Sequence, residues 1–163
     1  MERRSFLLRV AALYLSAALP VRAAEVAKLA KPKSAWRALL SGPAYAVLFE
    51  EDTEAPFSST LNGEKHSGVF VCAACYLPLF ESAKKYDSGT GWPSFWDAMA
   101  GAVGRSKDFK LLVQRTEYHC ARCGGHQGHV FDDGPAPTRL RYCNNGLALR
   151  FVPSGEALPA LRS

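Results

Sequence analysis

A small, mainly β domain with antiparallel strands, pinned by a metal ion, is the fold class that the sequence predicts. Three observations predict it. From Gly68 onward, short runs of β-branched and aromatic residues alternate with turn residues. Four of the five cysteines form two pairs of one spacing, Cys72-x-x-Cys75 and Cys120-x-x-Cys123. The sequence also carries no long amphipathic helical pattern. A chain of 163 residues with 48% hydrophobic content fills a single core, and 9 Phe, 6 Tyr and 3 Trp argue against disorder.

Taken in order, residues 1–24 read as an export signal. The paired arginines Arg3-Arg4 precede Ser5-Phe6-Leu7 and an apolar run from Val10 to Pro20, which is too short to cross a bilayer as a helix. Val21-Arg22-Ala23 offers a cleavage site. The twin arginines are similar to the signal of the route that exports folded proteins, with a general secretory signal as the alternative. The expected destination is the bacterial periplasm, with no stable membrane anchor once the signal is removed. The signal also explains the charge. Of the formal net +5, the first 24 residues hold four arginines against one glutamate, leaving 16 basic and 14 acidic residues in the remainder. A nearly neutral body gives nucleic-acid binding no electrostatic support.

Residues 25–33 are expected as a flexible leader, 34–155 as the folded domain and 156–163 as a C-terminal tail. Ser34 is placed to cap a short N-terminal helix through Leu40, stopped by Ser41-Gly42-Pro43. Val69–Val71 and Leu77–Phe80 bracket the first cysteine pair as strand, knuckle and strand. Lys110–Arg115 reads as a strand, and Thr116–His119 leads into the second pair. Leu140–Cys143 and Leu147–Val152 read as strands with Asn145-Gly146 between them, a hairpin signal or a bulge.

Two Cys-x-x-Cys pairs make a tetrahedral thiolate set for one zinc ion, closed to solvent and therefore structural. Forty-four residues separate the pairs, so each is expected on its own hairpin turn, with the ion joining two sheet regions. Such a site supplies on the order of 10 kcal/mol to folding. Disulfides and an iron centre are the alternatives. A Cys₂His₂ set of Cys120, Cys123, His126 and His129 is a further one, but it leaves Cys72 and Cys75 idle.

Cys143 is the odd cysteine. It lies two residues after Arg141 and two before Asn145 in Arg141-Tyr142-Cys143-Asn144-Asn145. A nearby cation favours the thiolate, the form that attacks. His126 and His129 sit in the glycine-rich stretch Gly124-Gly125-His126-Gln127-Gly128-His129 and are candidate proton donors. Trp92, between Gly91 and Pro93, can present an aromatic face to an apolar substrate group.

The order CAAC, SGTGWPSFW, CARCGGHQGHVFDDGP and RYCNN resembles the methionine-R-sulfoxide reductases (type B) over roughly residues 36–153, and Thr53-Glu54-Ala55-Pro56-Phe57 is similar as well. The resemblance implies a small β fold of two antiparallel sheets, barrel-like or tent-like, with a structural zinc. It implies reduction of the R epimer of methionine sulfoxide in oxidised proteins or peptides. Cys143 would be the nucleophile and Arg141 its flanking cation. His126, His129 and Asn145 would be active-site polar residues, Trp92 the seat of the substrate methyl, and Asp133 a polar residue nearby.

Thr90 stands where many members of that family place a second, resolving cysteine. Asn144 replaces a usually apolar residue. With the quartet committed to metal, no cysteine remains for an internal disulfide. The expectation is a one-cysteine enzyme recycled by an external thiol, from a thioredoxin-like protein, glutaredoxin or glutathione. Two other readings stay open: an exported zinc protein using Cys143 as a redox sensor or partner-binding thiol, and a zinc-ribbon-like nucleic-acid module.

Overall fold

The structure, a computed structural model, describes residues 26–109 and 114–163. The expected export signal, and most of the expected strand 110–115, therefore lie outside the described residues. Among the described residues, no helix is long and apolar enough to cross a membrane.

Two antiparallel sheets enclose the core. Strands β1 (Gly68–Cys72), β2 (Pro78–Glu81) and β9 (Leu149–Pro153) form a three-stranded sheet in the order β2-β1-β9. The second sheet contains β3 (Lys85–Tyr86), β4 (Ser94–Phe95), β5 (Val103–Asp108), β6 (Arg115–Cys120), β7 (His126–Phe131) and β8 (Arg141–Asn144). Its order is β3-β4-β8-β7-β6-β5. Aromatic rings fill the space between the sheets. Phe80 stacks on Phe95 at 4.2 Å, Phe70 meets Phe95 at 4.9 Å, and Tyr118 stands edge-on to Tyr142 at 5.2 Å. Each such ring, fully removed from water, stabilises the fold by about 1.5–3 kcal/mol.

Two sequence expectations change. The helix expected over 34–40 is only a 3₁₀ turn, Lys33–Trp36, preceded by Pro32 at its cap position. Among the described residues the α-helix is α1, Gly42–Glu50, and Ser41-Gly42-Pro43 starts it rather than stopping an earlier one. The Ser41 hydroxyl accepts the Ala44 N–H at 3.3 Å, and Pro43 lies in the first turn, where its missing N–H costs nothing. Helix α1 buries Ala44, Tyr45, Val47, Leu48 and Phe49, and Phe49 stacks on Trp36 at 5.7 Å.

Strands β8 and β9 are also not a hairpin, because they belong to different sheets. Asn145 and a 3₁₀ turn, Gly146–Ala148, carry the chain across. The anchor is remote in sequence. Buried Glu54 accepts the Gly146 N–H at 2.6 Å and the Leu147 N–H at 3.0 Å.

The segment expected as a flexible leader is packed where it is described. Val26 and Leu29 lie against the core, and the Leu29 N–H donates to Arg122 O at 2.8 Å. The C-terminal tail returns to the same place. The Arg162 N–H donates to Cys75 O at 3.0 Å, and its guanidinium lies over the Tyr76 ring at 4.2 Å.

Candidate active site and metal centre

The two cysteine knuckles sit at the turns of the β1–β2 and β6–β7 hairpins, one from each sheet. The ligand atoms of Cys72, Cys75, Cys120 and Cys123 all lie within 4.8 Å of one another. Cys72 Sγ is 3.7 Å from Cys123 Sγ, and Cys75 Sγ is 3.5 Å from Cys120 Sγ. A tetrahedral ion with metal–sulfur bonds near 2.3 Å holds its sulfurs about 3.8 Å apart. The donor set fits. It also calls for a cation, because four thiolates this close repel one another, and the buried ones, Cys72, Cys75 and Cys120, are costly to hold charged away from water. Without positive charge the four sulfurs cannot all be thiolates. The Cys₂His₂ alternative is not formed, since both histidines turn to carboxylates.

Strand register assembles the second centre. Tyr86, Ser94, Cys143, His129, Glu117 and Ser106 are successive cross-strand partners, from β3 through β4, β8, β7 and β6 to β5. Directly paired residues share one face of the sheet. Cys143 is half-buried, and with His129, Trp92 and Asn145 it lines a pocket of about 130 Å³ whose other walls include Thr53, Arg115 and Phe131. Larger hollows of about 540 and 380 Å³ share walls with it, the first at Trp92 and the second at Thr53, Arg115 and His129. Neither contains the thiol, so chemistry and not size identifies the site.

Burial raises the Cys143 thiol above its ordinary value, and the Arg141 charge and hydrogen bonds from Thr90 and Arg141 oppose the rise. His129 is shifted down. Burial disfavours its charged form, and the Asp108 carboxylate, 2.7 Å from Nε2, only partly compensates. Asp108 in turn accepts from Arg115 at 2.6 Å. His126 faces Glu117, with Nδ1 2.9 Å from Oε1, and its ring lies 5.5 Å from that of His129. Glu117 also meets His119 Nδ1 at 3.1 Å and the Ser106 hydroxyl at 2.5 Å. Burial pushes the Glu117 carboxyl up, but these three partners outweigh it and hold it well below the usual carboxylate range.

Trp92 is fixed through its indole N–H, which donates to Glu54 O at 3.1 Å. Asn145 is held on three sides. Its N–H and Nδ2 donate to Gln127 O at 2.8 and 3.1 Å, and its Oδ1 accepts the Glu54 N–H at 3.1 Å. Gly128 is required by close approach, since a Cβ there would lie 1.9 Å from Cys143 O.

Not every sequence-derived candidate lines the pocket. Arg141 turns to Asp133, donating through Nε and Nη2 at 2.8 Å each, and lies over the Phe131 ring at 4.3 Å. Asp133 is largely exposed and meets Arg141. His126 lines the neighbouring hollow with Glu117 and His119. Reading the sequence alone also passes over Asp108, Arg115, Glu117, Glu54 and Gln127. The alternating charges of Arg115-Thr116-Glu117 were a signal that one strand face is polar, but nothing local said which histidines would meet it.

The SelR domain model matches residues 40–153. Curated relatives named peptide methionine sulfoxide reductase MsrB include one from Caulobacter vibrioides, 54% identical over 114 residues, covering 69% of this chain and 72% of that protein. One from Methanosarcina barkeri is 48% identical over 127 residues, covering 77% and 89%. One from Pseudomonas fluorescens is 47% identical over 127 residues, covering 77% and 98%. With a domain match over most of its length and relatives of this similarity, the chain belongs to the SelR-domain family of peptide methionine sulfoxide reductases.

Proposed function

We propose that this chain reduces methionine-R-sulfoxide to methionine with Cys143 as nucleophile. The observation that carries the reading is the pairing of half-buried Cys143 with His129 across β7 and β8, in a pocket walled by Trp92 and Phe131. A raised thiol beside a lowered imidazole keeps the resting proton on sulfur. Asp108 occupies Nε2 of His129, so Nδ1 is the nitrogen that takes this proton when sulfoxide binds. The Cys143 sulfur gives an electron pair to the sulfoxide sulfur, the imidazolium returns the proton to the oxygen, and the S–O bond breaks. The hydroxide so released adds to the Cys143 sulfur as the new sulfur–sulfur bond breaks toward methionine, so two electrons have passed from Cys143 to the methionine sulfur and Cys143 is left as a sulfenic acid. Trp92 receives the methyl group and thereby selects the epimer. Asn145 and His126 with Glu117 hold the polar side of the site, Arg141 favours the thiolate, and Asp133 orients Arg141.

All four other cysteines belong to the quartet, so recycling uses an external thiol. One thiol attacks the sulfenic sulfur and expels water, and a second cleaves the mixed disulfide and releases Cys143. A thioredoxin-like protein, glutaredoxin or glutathione fits that role. Zinc is the ion we assign to the quartet, where it supplies a structural cross-link between the sheets. Residues 1–24 are assigned to export, to the periplasm in a bacterium.

Steady-state reduction of each sulfoxide epimer with a dithiol tests the reading. Turnover should be confined to the R epimer and vanish in Cys143→Ser. Intact mass after one equivalent of substrate should show one added oxygen and no internal disulfide. Turnover surviving in Cys143→Ser defeats the assignment.

A further inference from the structure

The quartet and the Cys143 pocket are joined by one fully buried polar side chain. Gln127 lies on β7 between His126 and Gly128 and is 0% exposed. Its Nε2 donates to Cys72 Sγ at 3.6 Å, within the range for a bond to sulfur. Its Oε1 accepts from Asn144 Nδ2 at 3.4 Å. Its main-chain oxygen accepts both donors of Asn145. Gln127 therefore grips the two residues that follow Cys143 while its amide reaches a sulfur of the quartet. The far end is closed by the Tyr118 hydroxyl, which donates to Asn144 Oδ1 at 2.6 Å, and Asn144 and Tyr118 are also 0% exposed. A buried amide is retained at a cost unless its polar atoms are bonded, and here each group of the Gln127 side chain has its own partner.

We propose that Gln127 is a positioning residue that couples the metal centre to the reacting thiol. Its N–H to Cys72 sulfur sets the electron density of one metal thiolate, and its carbonyl oxygen fixes the strand end behind Cys143 through Asn144. Occupation of the quartet thereby orders Cys143 through a single side chain as well as through the general fold. The inference rests on the quartet holding a metal and on Cys143 being the reacting sulfur.

The test compares the metal-loaded full chain with Gln127→Met, which keeps length and removes both polar atoms. In cobalt-substituted protein, loss of a hydrogen bond to a thiolate raises the energy of the sulfur lone pairs. The thiolate-to-cobalt charge-transfer band should then move to lower energy. Release of zinc to a chelator should quicken about ten-fold, as for other bonds behind a metal ligand. The alkylation rate of Cys143, read by mass spectrometry without any sulfoxide, should change by about five-fold or more, a difference of ~1 kcal/mol. An unmoved band overturns the link to the metal. A moved band with alkylation unchanged overturns the coupling to Cys143. If Gln127→Met does not fold, Asn144→Ser removes the bond to Gln127 Oε1 together with those to the Tyr118 hydroxyl and Asn145 O, and leaves the bond to Cys72 in place: the band should stay and alkylation should change, and unchanged alkylation overturns the coupling. Because alkylation is read on the thiol itself, these outcomes are separate from whether the enzyme reduces sulfoxide.

Discussion

Gly128→Ala is the substitution whose consequence the structure fixes most closely. A Cβ at 128 would lie 1.9 Å from Cys143 O, 3.0 Å from Cys143 C and 3.2 Å from Asn144 Cα. All three are main-chain atoms, so no side chain can swing away. Reaching ordinary contact requires β7 and β8 to separate locally by roughly 1.5 Å. That movement falls between His129 and Cys143, which are paired one residue further along the same two strands. Overpacking of this kind costs about 1–3 kcal/mol, and a displacement of about 1 Å at reacting groups costs on the order of 100-fold in rate. Thermal unfolding should fall by roughly 3–10 °C, and kcat/KM with a dithiol by about 100-fold. Gly42→Ala is the control: nothing lies within 4 Å of its Cβ, so both quantities should stay near wild type. If Gly128→Ala keeps turnover within about three-fold of wild type while remaining folded, the close approach of the two strands does not position the thiol.

Three further outcomes follow from the same geometry. Glu117 is held well below the usual carboxylate range against its burial, so the stability it contributes is present above its unfolded value of about 4.3 and lost as pH falls. Urea midpoints between about pH 3 and pH 7 should show this acid limb in wild type and a flatter one in Glu117→Gln. Glu54→Ala leaves the Gly146 and Leu147 N–H groups without their carboxylate. It should lower unfolding stability by about 2–4 kcal/mol, measured by denaturant titration, and slow turnover through Asn145 and Trp92. Removing the metal with a chelator should cost much of the on the order of 10 kcal/mol that such sites supply, so circular dichroism should show loss of the β signal that zinc restores.

The division of the five cysteines was legible in the sequence because it is a matter of count and spacing. A Cys-x-x-Cys turn is a local object, and each knuckle closes through bonds within a few residues, such as Tyr76 N–H to Cys72 O at 2.9 Å. The strands flanking the first knuckle were legible for the same reason. The start of α1 is not legible in the sequence because Ser41-Gly42-Pro43 is ambiguous locally. It can end one element or begin the next, and what selects the second is the burial of Tyr45, Val47, Leu48 and Phe49 against distant strands.

The site beyond its named residues was decided by tertiary structure. Which carboxylate meets which histidine depends on register across β5, β6 and β7, and the approach of Glu54 to Gly146 spans 92 positions in the chain. Contacts of that range leave no periodic trace in the sequence, because neither partner's local preference depends on the other. The sequence by itself determined that four sulfurs could clamp an ion and that one was left over. Only the folded sheet decided what surrounds that fifth sulfur, since a strand's neighbours are chosen by the packing of the whole core.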